Sequence, residues 1–237
     1  MEFKNYKEYL NLLESLKNQK TSIFNKKLIT TKYQILGIKI PDMRKLAKEI
    51  IKNNQENLIL SKQEFFYYEE ILIFGFVLAD VKIEESERIL KIEQFCNIFD
   101  NWSVVDSFCS SLKSVKKYKE LYLKFIRACR HSENLYKKRL AIVLLMDYFL
   151  DEKNFNEIFS LAFSLNGDEY YISMALAWFF ATSLAKNFNQ TLLFLENNIN
   201  NLSPALKSRI ISKSRDSYRI SPENKILIKQ VLAKNSL

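Results

Sequence analysis

The sequence predicts an all-α protein built as a solenoid of helical repeats, and three observations lead to this prediction. Glycine and proline are scarce, with three of each in 237 residues, which disfavours β-rich folds that need many tight turns. Hydrophobic residues form 48% of the chain and recur at helical spacing. Successive helix pairs follow one another at roughly the 40-residue period of HEAT and armadillo proteins. We therefore expect a single HEAT-like α-solenoid domain over residues 1–237.

The first predicted helices each have one apolar face. The opening helix is indicated by residues that recur every three or four positions: Tyr6, Tyr9, Leu10, Leu13 and Leu16. A short apolar segment around residues 23–29 follows. Gly37 suits a tight turn, and Pro41 suits the first turn of the next helix. That helix has apolar residues along one face: Met43, Leu46, Ala47, Ile50 and Ile51.

The middle and the end of the chain contain longer apolar segments. Residues 62–80 are apolar on most sides and predict a central helix, and residues 84–99 predict another. Asp100 or Asn101 can cap the next helix, which carries Trp102, because their short side chains accept hydrogen bonds from free backbone N–H groups. The remaining helices are predicted over 115–130, 133–150, 154–164, 168–186, 190–200, 204–218 and 222–234.

The charge and hydropathy of the chain limit its function and its location. A net charge of +9 and a sequence pI of about 9.3 indicate a polyanionic partner such as nucleic acid. The longest apolar runs, residues 71–79 and 175–181, are too short to span a bilayer, and the polar N-terminus lacks a secretory apolar region. We therefore expect a cytoplasmic protein with no membrane contact.

The residue types that bind metals or act as nucleophiles are few. One histidine and three cysteines at no metal-like spacing predict neither a metal site nor a disulfide framework. The sequence has no glycine-rich phosphate loop, no G-x-S-x-G elbow and no supported Cys–His pair, which disfavours nucleotide hydrolysis and triad chemistry. We expect no cofactor.

Trp102 and Asp106 are the first candidate site residues. Positions i and i+4 of a helix lie one above the other, so the indole and the carboxylate are expected side by side on one face. In a structural interpretation, Trp102 packs in the core while Asp106 bonds a neighbouring side chain or a helix terminus. In a catalytic interpretation, a carboxylate beside an aromatic surface stabilises a developing positive charge or orients a water molecule. The spacing alone leaves both interpretations open.

Arg139 and Trp178 follow Trp102 at repeat-like intervals. Arg139 begins a strongly apolar run, where a guanidinium needs a partner, either an acidic residue of a neighbouring helix or a phosphate. It lies 37 residues after Trp102, and Trp178 lies 39 residues after Arg139. In a solenoid with a repeat of this length, equivalent positions return to the same face. We therefore expect these three residues, together with Asp106, to line one concave groove.

Basic residues form three groups along the chain. Most are expected to be solvated, whereas those at helix ends that border the groove are candidates to neutralise DNA phosphates. The groups are Lys113, Lys116, Lys117 and Lys119; Lys124, Arg127 and Arg130; and Lys207, Arg209, Lys213, Arg215 and Arg219.

Four segments resemble motifs of AlkD-like DNA alkylation repair proteins, in the family's order and with compatible spacing. Residues 37–48, GIKIPDMRKLAK, are similar to the family's G-[VI]-x-x-P-x-[LM]-R-x-[LIV]-A-K segment. Residues 101–106, NWSVVD, resemble its W-[DS]-x-[VC]-D signature. Residues 138–142, KRLAI, and 175–178, ALAW, resemble its R-x-A-I and A-[IL]-[GA]-W helices.

This resemblance implies a HEAT-like solenoid that grips double-stranded DNA in its concave groove. It also implies a glycosylase that excises cationic N3- or N7-alkylated purines without drawing the base into a deep pocket. Asp106 is then the catalytic carboxylate, which stabilises an oxocarbenium-like sugar and positions water. Trp102 and Trp178 are expected to pack against the deoxyribose. The residues expected to bind DNA are Arg139, Lys138, Arg44, Arg215 and Arg219.

Two other functions stay open at this point. Family glycosylases tend to carry basic residues after the second tryptophan, whereas residues 179–182 here are apolar or neutral. In one alternative the chain is therefore a non-catalytic binder of branched or damaged DNA. In the other it is a HEAT-type protein–protein scaffold, which predicts an apolar groove with dispersed basic residues. We expect the protein to be a monomer.

Overall fold

The computed structural model describes residues 2–151, 155–167 and 169–233, and these residues confirm the predicted all-α, helical-repeat class. The α-helices are α1 (Tyr6–Ser15), α2 (Gln19–Leu28), α3 (Ile40–Lys52), α4 (Glu56–Leu60), α5 (Tyr68–Asp80), α6 (Glu85–Cys96), α7 (Trp102–Ser111), α8 (Lys119–Cys129), α9 (Leu135–Tyr148), α10 (Phe155–Ser164), α11 (Tyr170–Lys186), α12 (Phe188–Asn197), α13 (Pro204–Asp216) and α14 (Pro222–Ala233). Two 3₁₀ helices lie at Lys113–Lys116 and Ile199–Asn201. None of the described helices has the length and hydrophobicity that crossing a bilayer requires.

Most predicted helices are confirmed, with ends that differ by a few residues. The helix predicted over 62–80 begins only at Tyr68, because the backbone just before it pairs with Gln34 in an isolated parallel β-bridge. The helix predicted over 115–130 begins at Lys119, after the first 3₁₀ helix. The sequence does not predict α4, and it indicates only a short segment where α2 forms ten residues. The predicted ends at 154, 168 and 234 lie outside the described residues.

The chain divides into two compact units, residues 1–122 and 123–237. In the first unit, α5 contacts α3, α4, α6 and α7. Its residues from Tyr68 to Ala79 are all buried, which confirms the prediction of a central apolar helix. The prediction of one domain over the whole chain stays a prediction.

Close packing of aromatic rings fixes α6 and α7 against α5. A Cβ added at Gly75 would lie 3.1 Å from the Phe95 ring and 3.3 Å from the Phe108 ring. The two rings contact each other edge to face, with their centroids 5.3 Å apart. Because glycine leaves room for both rings, α7 lies directly on the central helix of this unit.

In the second unit, α11 packs between α9 and α13. A cluster of aromatic rings anchors the inner face of α11, with centroid separations between 5.2 and 6.3 Å: Phe159, Phe179, Phe180 and Phe194. Ala177 and Phe179 are fully buried, whereas Trp178 between them is 39% exposed. The aromatic cluster therefore sets the rotation of α11 that turns Trp178 outward.

A buried carboxylate holds the turn at Gly37 in the first unit. Glu69, in the first turn of α5, accepts hydrogen bonds of 2.7 to 3.3 Å from the backbone N–H groups of Leu36, Gly37 and Ile38. Burial raises the pKa of the Glu69 carboxyl, although the three donors favour its charged form. The Ser22 hydroxyl donates to the Ile35 carbonyl at 2.7 Å, which ties α2 to the same turn.

Replacing Gly37 by alanine is expected to lower the free energy of unfolding by at least about 2 kcal/mol. Gly37 has a φ of +88°, and an added Cβ would lie 2.3 Å from the Asn18 carbonyl oxygen and 2.4 Å from the Ser22 nitrogen. Gly167→Ala is the matched control, because the only close contact of its Cβ would be the movable carboxylate end of Glu169, while Ile172 lies at an ordinary 3.5 Å. Urea unfolding followed by circular dichroism measures both variants, and equal midpoints would contradict the assigned role of Gly37.

Candidate nucleic-acid interface

Helix α7 begins at Trp102 because Asn101 caps it. The Asn101 side-chain oxygen accepts hydrogen bonds from the N–H groups of Ser103 and Val104, at 3.0 and 3.2 Å. Asn101 is only 1% exposed, and its Nδ2 donates to Asp100 Oδ1 at 2.7 Å. Of the two caps that the sequence allows, the structure therefore assigns the role to Asn101.

Asp100 joins this helix start to the segment that follows α2. Its Oδ2 accepts hydrogen bonds from the Thr31 hydroxyl at 2.6 Å and from the Lys32 N–H at 2.9 Å. The same carboxylate bonds the buried cap residue through its other oxygen. Asp100 thus links the start of α7 to the segment after α2, and Thr31 and Asp100 lie 69 positions apart in the sequence.

Trp102 and Asp106 lie on the partly accessible stripe of α7. Both are intermediate in exposure, whereas Val104, Val105 and Phe108 on the opposite side are buried. The Trp102 Nε1–H donates to the Leu28 carbonyl at the end of α2, at 3.4 Å, and this bond orients the indole. Neither side chain is fully buried, and the structural and the catalytic interpretation both stay open.

Arg44 reaches the same stripe from α3. Its Nη2 donates to the Ser110 hydroxyl at 2.9 Å, and Ser110 follows Asp106 by one helical turn. The guanidinium carbon lies 5.0 Å from the centroid of the Phe76 ring, so a cation–π contact also holds the side chain. The first unit therefore brings together three of the predicted site residues, Arg44, Trp102 and Asp106.

A basic segment around α2 is not among the DNA-binding residues predicted from the sequence. Residues 15–41 contain six lysines and no aspartate or glutamate. Helix α2 within this segment exposes the apolar side chains of Ile23, Phe24 and Leu28. Because the Leu28 carbonyl accepts the Trp102 hydrogen bond, this basic helix lies next to the stripe that carries Asp106. The absence of acidic residues over such a length is a signal that the sequence alone contains.

In the second unit, Trp178 lies beside a small depression that contains two cations. The depression has a volume of about 200 Å³ and is lined by Trp178, Ala181, Thr182, Lys213, Asp216, Ser217 and Arg219. The structure thus brings the predicted residues Trp178 and Arg219 together, and it adds Lys213. Arg215 does not line this depression, but its Nε pairs with Oδ1 of the lining residue Asp216 at 3.2 Å.

Arg139 is 5% exposed at the start of α9. Its Nη1 donates to the Tyr171 carbonyl at 2.8 Å, which links α9 to the first turn of α11. One partner of this guanidinium is therefore a backbone carbonyl, a third possibility beside the acidic residue and the phosphate weighed from the sequence. Lys138 next to it is intermediate in exposure.

The chemistry available at these positions is electrostatic. The described residues contain no cluster of three or more histidine, cysteine, aspartate or glutamate side chains that could bind a metal ion. A carboxylate next to an indole on α7 can stabilise a developing cation, and an exposed indole near two cations on α11 can contact a sugar and its phosphate.

Comparison with known proteins finds a family model that covers most of these positions. A family model described as DNA alkylation repair enzyme matches residues 9–209 of the chain. The match includes Arg44, Trp102, Asp106, Arg139 and Trp178. No curated protein matches the chain.

Replacing Lys213 or Arg219 by alanine is expected to weaken binding to duplex DNA. The logarithm of the binding constant falls linearly with the logarithm of the salt concentration. Each replacement is expected to make this slope about 1 less steep, because each cation that contacts a phosphate releases about one counterion. Lys186→Ala is the control, since Lys186 on the same helix as Trp178 already pairs with Asp151 at 3.0 Å. Fluorescence anisotropy at several salt concentrations measures the slopes. Slopes equal to that of the unchanged protein would exclude phosphate contacts at this depression.

Proposed function

The chain belongs to the family of DNA alkylation repair enzymes, and from this premise we propose that it is a DNA glycosylase. Its proposed substrates are cationic N3- or N7-alkylated purines in double-stranded DNA. One observation carries the proposal: Asp106 and Trp102 lie on the same accessible stripe of α7, and the indole is oriented by the Leu28 carbonyl. A partly exposed carboxylate one helical turn from an oriented indole is suited to stabilise a sugar cation.

The proposed reaction breaks the bond between C1′ of the deoxyribose and the alkylated nitrogen of the base. The electron pair of that bond stays with the purine and neutralises its positive charge, so the base leaves without a general acid. The sugar becomes an oxocarbenium-like cation, which the Asp106 carboxylate stabilises. Water held by Asp106 then adds to C1′, gives up a proton to the carboxylate or to solvent, and leaves an abasic site.

The aromatic and basic residues have separate roles in this proposal. Trp102 and Trp178 pack against the deoxyribose and support its charge through their ring faces. Phosphates on either side are bound by Arg44, Lys138, Arg139, Arg215 and Arg219, with Lys213 added by its place beside Trp178. The protein acts as a HEAT-like monomer in this proposal, without a metal or a cofactor.

A second candidate function is binding of branched or damaged DNA without base excision. The observation that favours it is the side of α11 after Trp178, where Phe179, Phe180 and Ala181 are buried and Thr182 is uncharged. No cation from this helix turn is available to the phosphate next to the lesion. The basic segment around α2 and the cations beside Trp178 can contact phosphates in either function.

Asp106→Asn is expected to lower the single-turnover rate of base release by at least about 100-fold, because the amide keeps the shape of the side chain and removes its charge. Binding to the same DNA is expected to stay within about threefold, since the carboxylate contributes mainly in the transition state. Release of 7-methylguanine from a defined duplex, measured by chromatography of the free base, gives the rate. Asp80→Asn is the control, as Asp80 is an exposed aspartate of the same unit.

The outcomes separate the two candidate functions. Base release by the unchanged protein that is lost in Asp106→Asn and kept in Asp80→Asn supports the glycosylase. DNA binding without any base release by the unchanged protein contradicts the glycosylase and supports the non-catalytic binder.

A further inference from the structure

One arginine of α13 that the proposed function does not use is held in a fixed position. The Arg209 Nη1 donates to the Ser173 hydroxyl of α11 at 2.6 Å. The Arg209 guanidinium carbon lies 5.1 Å from the centroid of the Tyr170 ring. Ser173 is only 3% exposed, so the acceptor of this hydrogen bond is shielded from solvent. A hydrogen bond and a cation–π contact together restrict a side chain that is otherwise flexible.

The ring beneath Arg209 is itself supported by neighbouring tyrosines. Tyr170 and Tyr171 contact edge to face at a centroid distance of 5.5 Å, and Tyr171 lies 6.0 Å from Tyr136 of α9. Tyr170 is nevertheless 57% exposed, at the first residue of α11. The pair of Tyr170 and Arg209 is therefore preformed and open to a ligand from solvent.

The positive charge of Arg209 has no carboxylate partner in the described part of the chain. The nearest acidic residue in sequence to its stacking ring is Glu169. The Glu169 carboxylate folds back over Gly167, where an added Cβ would lie 2.5 Å from Glu169 Oε2. A guanidinium has five N–H donors, and Ser173 uses one of them, so several donors remain for a ligand.

Arg209 lies one helical turn from the depression beside Trp178. Lys213 lines that depression and follows Arg209 by four residues on α13. Residues with this spacing lie on the same face of a helix, with their Cβ atoms about 6 Å apart. A DNA strand advances about 3.4 Å along the helix axis per nucleotide. A strand that contacts Lys213 therefore has its next one or two phosphates within reach of Arg209.

We propose that Arg209, stacked on Tyr170, binds a backbone phosphate of DNA one or two nucleotides from the phosphate held beside Trp178. The planar fork of a guanidinium matches two phosphate oxygens, and its fixed position means that little side-chain freedom is lost on binding. This inference rests on the DNA binding in the proposed function and is independent of base excision.

Single neutral methylphosphonate linkages, placed one at a time along an undamaged duplex, test for a direct contact. The unchanged protein is expected to lose about tenfold in affinity at the linkage that Arg209 contacts. Arg209→Ala is expected to bind the unmodified duplex about tenfold more weakly, and to lose nothing further at that linkage while it stays sensitive at the others. An Arg209→Ala protein that keeps every sensitivity of the unchanged protein would overturn the proposal.

The role of the stacked ring is tested with conservative variants. Tyr170→Phe keeps the ring and is expected to bind as the unchanged protein does, whereas Tyr170→Ala is expected to bind several-fold more weakly. Arg209→Lys keeps the charge and the salt dependence, but it is expected to lose several-fold in affinity because the planar fork is gone. Tyr170→Ala combined with Arg209→Ala is expected to bind no more weakly than Arg209→Ala alone, and additive losses would contradict the stacked pair.

Failure of this inference is distinguishable from failure of the proposed function. Base release from the alkylated duplex is measured for the unchanged protein and for Arg209→Ala, separately from the methylphosphonate pattern. If neither protein releases base but the methylphosphonate pattern is found, base excision is refuted and the Arg209 contact stands. If base is released and the pattern is missing, the Arg209 contact is refuted and the glycosylase stands.

Discussion

The arrangement of α7 depends on one buried amide at its start. Asn101 closes the first turn through two backbone N–H groups and is held in turn by Asp100, which also bonds the segment after α2. The cap therefore fixes where α7 begins, and the burial of Val104, Val105 and Phe108 decides which side of the helix stays partly accessible.

Partial burial is the property that Trp102 and Trp178 share. Trp102 is tied to the Leu28 carbonyl, and Trp178 stands out between two buried neighbours on an anchored helix. An indole held in this way has a fixed orientation, and one of its faces stays exposed to solvent. A fully buried ring has no face that a ligand can contact. The cations near them come from other helices, with Arg44 from α3 in one unit and Lys213 from α13 in the other. Rigid aromatic faces can pack against a sugar, and basic side chains from other helices can contact its phosphates.

Part of this arrangement follows from the sequence, and the rest depends on contacts between distant residues. The helices are predictable because apolar residues recur at helical spacing, and the cap at the start of α7 is predictable from its short polar side chain. The extent of α2 is not, since Ser22 and the turn at Gly37 hold it through bonds to residues outside the helix. Lys213 and Arg215 look equivalent in the sequence, yet two positions on a helix differ by about 200°, and only packing decides which of them lines the depression beside Trp178. The stacking of Arg209 on Tyr170 likewise joins residues far apart in the chain.

In the proposed reaction, the chain cleaves the glycosidic bond through a sugar cation stabilised by Asp106. A 2′-fluorine withdraws electrons from C1′ and destabilises such a cation while leaving the alkylated base unchanged. The most direct test is the single-turnover release of 7-methylguanine from matched duplexes with and without 2′-fluorine at the lesion. We expect release from the unmodified sugar, strong slowing by fluorine, and equal binding of both duplexes. No release from the unmodified sugar, or equal rates from both, would contradict it.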